Sequence, residues 1–242
     1  MNTSSRSAVD LQRILASMET MRHKLIRIGV LVLLLSAGGY LTAGRVLGYL
    51  QKATGAHLVA YGLPDAFIGY LTVSLAIGLA AALPFILYEM LAMVSRQFPE
   101  FSGRMRLGFW LVSVALFYLG VFFCLSITLP YGSRFLLDFE TDRIKAIISV
   151  RKFIDFCLVF TYGFGLIFEL PVVMVLLGKL GLVDVEKLSG CRRYAILVIT
   201  IVSAILTPTP DVFNLALMAV PLYLLFEVGI IGMRIGRKRI DG

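Results

Sequence analysis

Gly163-Phe164-Gly165-Leu166-Ile167-Phe168-Glu169-Leu170-Pro171 lies inside residues 156–178, where Glu169 is the only Asp, Glu, Lys or Arg. A run this long and this apolar reads as a membrane-crossing helix, because about 20 such residues span a hydrocarbon core of about 30 Å. A carboxyl group within it costs about 2.5–3.5 kcal/mol on insertion scales, so it faces a cavity or a partner. The two glycines allow another helix to come close, and Pro171 frees a backbone carbonyl near the carboxyl group. Two readings of Glu169 stay open: a polar spot in a groove available to a substrate, or a carboxylate bonded to a neighbouring helix.

The rest of the chain repeats the pattern. Of 242 residues, 59% are hydrophobic and 16% charged, and the mean hydropathy is +0.89. A soluble domain of ordinary composition holds about 45–50% apolar and about 25% charged residues, so lipid is the expected solvent. Apolar stretches predict an all-α integral membrane protein of one domain, residues 1–242, with six transmembrane helices at about 28–44, 66–95, 107–130, 153–178, 194–207 and 212–233. No repeat, low-complexity tract or linker divides it. The last two helices are expected to be short. Residues 194–207 span about 21 Å, and Pro221 interrupts the final stretch. Such a pair thins the bilayer, sinks its turn below the far surface, or sits beside a partner.

Charge gives the orientation. The N-terminal tail with Arg27, the 95–106 and 179–193 loops and the C-terminal tail hold 16 of the 23 Lys and Arg, against seven on the other side. The positive-inside rule then places both termini in the cytoplasm. The formal charge of +8 is spread between apolar spans, which argues for topology rather than for nucleic acid. Residues 1–27 form a cytoplasmic tail in which Leu11, Ile14, Leu15, Met18, Met21 and Leu25 recur at helical spacing. It reads either as an amphipathic helix on the membrane surface or as a plain topogenic anchor.

The reactive residues exclude several classes. Cys124, Cys157 and Cys191 show no CxxC spacing and read as packing residues. His23 and His57 are too few for a metal cluster, and no cofactor is implied. An intramembrane serine protease needs an embedded histidine beside its nucleophile, and an aspartyl protease two facing aspartates; neither pattern is present. No enzyme is expected. A small-molecule secondary transporter remains an alternative by composition, although no internal repeat supports it. Glu227 and Glu89 are read as groups that snorkel from span ends, and Asp211 as an N-cap of the final helix that is compatible with a cargo contact.

Several short motifs recur in order. Pro84-Phe85-Ile86-Leu87-Tyr88, Leu129-Pro130 followed by Arg134-Phe135-Leu136, Phe164 to Pro171, Arg192-Arg193-Tyr194, Leu206-Thr207-Pro208-Thr209-Pro210-Asp211 and Pro221 to Glu227 together resemble the TatC family of twin-arginine translocases. The resemblance implies a glove-like, non-catalytic receptor in a bacterial or organellar inner membrane, which binds twin-arginine signal peptides and exports folded proteins using the proton-motive force. It implies TatA-like and TatB-like single-span partners and a homo-oligomer within a receptor complex. Pro208, Asp211, Pro221 and Glu227 become candidates for structural or partner contacts. The family grips the arginines with two cytoplasmic glutamates, as carboxylate–guanidinium pairing requires. Here, alignment on Arg22 places Thr20 at the first glutamate and Ser17 at the motif's histidine, while the second position falls on Ser102 or Met105. The candidate signal-peptide residues are therefore Glu19, Thr20, Arg22, Glu100, Ser102 and Glu169. Either Glu19 and Glu100 substitute for the missing pair, or the chain is a diverged TatC paralogue with altered cargo selection.

Overall fold

The computed structural model describes residues 3–55, 58–60, 62–97, 103–137, 148–206 and 212–238. Helix α1 runs Thr3–Thr54, 52 residues without a break, or about 78 Å at 1.5 Å per residue. No glycine or proline stands between Thr3 and Gly29 to end it. Residues 3–27, expected to form a separate surface helix or anchor, are thus continuous with the first apolar span.

Helix α2, Leu63–Gln97, is followed by α3, Gly103–Phe123. A π-helical turn, Cys124–Thr128, leads from α3 directly into α4, Leu129–Leu137, with the Leu129 N–H bonded to the Cys124 carbonyl. Pro130 follows at once. Its ring would crowd an ordinary α turn, and the wider turn makes room for it. The helix therefore continues past 130, where the sequence expectation stopped.

The fourth apolar span is two helices. Helix α5, Val150–Phe168, and α6, Leu170–Lys179, meet at Glu169, with Pro171 in the first turn of α6. A short helix α7, Val185–Gly190, precedes α8, Arg192–Leu206. Helix α9, Val212–Lys238, is 27 residues and carries Pro221 in its interior. The proline removes one helical hydrogen bond without ending the helix, which packs along α6 on one side and α8 on the other.

Among the described residues, five stretches are long and apolar enough to cross a membrane: Arg22–Thr54, Pro64–Ser95, Gly103–Arg134, Val150–Lys179 and Leu215–Gly236. Helix α8, at 15 residues, spans about 22 Å and stays shorter than a bilayer core. Two two-residue strands, β1 (Leu58–Val59) and β2 (Ile148–Ser149), pair in parallel, Leu58 opposite Ile148. They tie the segment after α1 to the start of α5.

The core gathers on α5. Phe153, Cys157, Phe160, Phe164 and Phe168 recur at helical spacing and are all buried, packed in one cluster with Met218, Leu222, Ile230 and Met233 of α9. Small residues set the crossings. A Cβ on Gly78 would lie 2.1 Å from the Ser36 Oγ, and one on Gly165 2.5 Å from the Phe117 ring. Helix α1 thus meets α2 at backbone distance at Gly78, and α3 meets α5 so at Gly120, where a Cβ would lie 2.7 Å from the Phe164 carbonyl oxygen. Large apolar side chains such as Leu33, Leu34, Leu41, Val159 and Leu166 remain exposed, as lipid-facing positions do.

Candidate functional site

Glu169 marks the joint between α5 and α6. Its N–H bonds to the Leu166 carbonyl at 3.1 Å, a tight turn, and its own carbonyl accepts from Val173 N–H at 3.0 Å. Pro171 has no N–H to offer the Ile167 carbonyl, so the helix relaxes at this point. The side chain is buried, 8% exposed. Ser113 of α3 donates its hydroxyl to Glu169 Oε2, while Oε1 is buried with no hydrogen-bond partner among the described residues. The carboxyl group is therefore bonded to a neighbouring helix, and half of its capacity is unused. Sequence reasoning missed Ser113, although a serine within an apolar span was the signal to follow.

Beside this joint lies an open apolar groove of about 480 Å³ between α3, α6 and α9. Phe109, Val112 and Leu116 form one wall, Pro171 and Val172 lie against Glu169, and Val228 closes the third side. Arg104 in the first turn of α3 and Lys179 at the end of α6 stand together at one end of it. Glu169 itself does not line the groove; it sits behind the wall made by its neighbours.

Further candidates sit on α1, α2 and α9. Arg22 is exposed on α1. Two residues further, Lys24 forms an ion pair and hydrogen bond with Glu89 of α2, so Glu89 is partnered rather than snorkelling alone. Glu227 of α9 is held from two sides: Arg192 Nη2 donates to Oε2 at 3.0 Å with Nε 2.8 Å from Oε1, and the Tyr223 hydroxyl donates to Oε1 at 2.9 Å. That pairing locks the start of α8 to α9, six residues beyond Pro221. Glu19 and Thr20 are in α1 by backbone, but their side chains fall outside the described residues, as do Glu100, Ser102, Pro208 and Asp211. Met105, the alternative position for the second glutamate, lines the groove with its sulfur 3.7 Å from Lys179 Nζ.

Two aromatic donors tie α3 to α2. Trp110 Nε1–H donates to the Pro84 carbonyl at 2.7 Å, and the Tyr118 hydroxyl donates to the Ala80 carbonyl at 3.0 Å. The second bond fills the vacancy that Pro84, four residues on, leaves in the helical ladder.

The sequence profile of the family described as Sec-independent protein translocase protein (TatC) matches residues 16–221. The Sec-independent protein translocase protein TatC of Desulforapulum autotrophicum is 38% identical over 187 residues, 77% of this chain and 69% of that protein. Its counterpart in Azotobacter chroococcum is 31% identical over 234 residues, covering 93% and 91%. The fold agrees: a crystal structure of a twin-arginine translocase receptor, TatC, superposes with a TM-score of 0.75 at 29% identity, over 91% of this chain and 99% of that one. With this match along nearly the whole length, the chain belongs to the TatC family of multi-pass inner-membrane protein translocase subunits, a family without enzymatic activity.

Proposed function

We propose that this chain is the receptor subunit of a twin-arginine translocase. It takes signal peptides with consecutive arginines at the cytoplasmic face and works with TatA-like and TatB-like single-span proteins. Folded cargo then crosses the membrane at the drive of the proton-motive force. On this reading α8 is a sixth span, both termini are cytoplasmic, and several copies assemble in the receptor complex.

The observation that carries the reading is the Lys24–Glu89 pair. It ties α1 to α2 one helical turn after Thr20 and two turns before α2 ends at Gln97. Helices α1 and α2, which adjoin Glu19 and Glu100 in sequence, are therefore neighbours at this point. Two carboxylates on adjacent segments suit a pair of guanidinium groups, which bind carboxylates through paired, charge-assisted hydrogen bonds.

The test is crosslinking, in membranes, of a twin-arginine signal peptide to photoprobes at Thr20 and Ser102, beside a peptide with both arginines changed to lysine. Crosslinks that vanish with the lysine peptide support the receptor. Equal crosslinking by both peptides sinks arginine selection and favours the second reading, a diverged subunit with altered cargo choice. That alternative is motivated by Thr20 and Ser102 standing where the family keeps its glutamates.

A further inference from the structure

We propose that the groove between α3, α6 and α9 is a binding site for an anionic phospholipid, with an acyl chain along Phe109, Val112 and Val228 and the phosphate between Arg104 and Lys179. Among the described residues the lining is apolar apart from these two cations at one end, and no Asp or Glu belongs to it. An amphiphile with an apolar tail and one negative head has this same division.

The two cations are available for a phosphate. Lys179 Nζ rests on the Met105 sulfur at 3.7 Å and over the Phe109 ring at 5.9 Å, and among the described residues no carboxylate is paired with it. Asp184 lines an adjoining depression with Lys179 but makes its ion pair with Lys187, at 3.0 Å. Arg104 is exposed and no carboxylate is paired with it among the described residues. Arg106, two residues on, is turned to the other side, where it stacks 5.4 Å over the Tyr88 ring and bonds its hydroxyl.

Position supports the head and tail directions. Arg104 opens α3 and Lys179 closes α6, so both sit at span ends, at headgroup depth, while Val112, Leu116 and Pro171 lie further along the spans. Basic residues between helices at the membrane face attract anionic headgroups. A volume of about 480 Å³ falls within the roughly 300–1,000 Å³ of ordinary ligand sites. The same two cations repel a pair of arginines, so this groove does not compete for the arginines of a signal peptide. The lipid site stands independently of the receptor function proposed above.

Native mass spectrometry of the purified full chain tests it, with equimolar phosphatidylglycerol and phosphatidylcholine of matched acyl chains. Retention of phosphatidylglycerol by about tenfold over phosphatidylcholine is expected, and this preference should disappear in the double variant R104Q/K179Q. The variant R106Q should keep it. A second variant, Val112→Trp, fills the groove without altering charge and should lower retention of the bound lipid several-fold. Equal retention of the two lipids overturns the proposal. So does a preference that survives R104Q/K179Q, or a groove found occupied by a partner's transmembrane helix in the native complex.

Discussion

The Tyr118 hydroxyl on α3 occupies the carbonyl of Ala80 on α2, 3.0 Å away. Pro84 cannot donate to that carbonyl, so the kink-prone point of one helix is closed by a side chain of the next. Removing the hydroxyl takes away this bond across the two helices. Tyr118→Phe is expected to lower stability by about 0.6–1.7 kcal/mol, the range of hydrogen bonds between membrane helices. Denaturation of the purified variant in mixed micelles measures it, and an unchanged midpoint would show that water or lipid supplies the bond equally well.

Gly78 is the second point of close approach. Gly78→Ala places a methyl carbon where only 2.1 Å separates it from the Ser36 Oγ, so α1 and α2 must move apart. A loss of about 1–3 kcal/mol is expected, as for other overpacked sites. Gly38→Ala is the control, because nothing lies within 4 Å of its new carbon; it should be neutral or gain up to about 1 kcal/mol from helix propensity. Thermal melts of the two proteins in the same detergent separate the effects.

Glu169 gives a prediction that divides structure from function. Its Oε1 is buried and unpartnered, a standing cost that an apolar residue of similar volume removes. Glu169→Leu is therefore expected to melt no lower than the parent while export of a twin-arginine reporter falls. A stable variant with full export would reduce the carboxyl group to a helix contact; an unstable one would make Ser113 its main reason for being there.

Arg192 and Glu227 join α8 to α9 across 2.8 Å. Each single change, Arg192→Gln or Glu227→Gln, strands a charge, whereas R192Q/E227Q strands none. The double variant should melt no lower than the worse single variant, and a double-mutant cycle reads the coupling. Additive losses would mean the pair does not act as a unit.

The sequence foretold the apolar stretches because composition alone decides them, and it singled out Glu169 because charge in an apolar run is conspicuous. What it missed depends on partners. Nothing near Glu169 in sequence names Ser113, which comes from 56 residues away. The β1–β2 pairing joins Leu58 to Ile148, two residues each, too short for any alternation to register. The π turn at Cys124–Thr128 shifts one hydrogen bond and leaves the hydropathy of the span unchanged. The run of α1 through residue 27 followed from the absence of a breaker, a signal weaker than the change from amphipathic to apolar pattern at the same place.

The break at Glu169 has a mechanical meaning. One membrane span there belongs to two bodies: α5 is fixed against α3, and α6 lies along α9. Helix α9 spans the break, lying along α6 and also reaching the phenylalanine cluster of α5 with Met218 and Leu222. The hydroxyl of Ser113 and the side chains of α9 thus hold together two half-spans that their own backbone joins only loosely at Glu169.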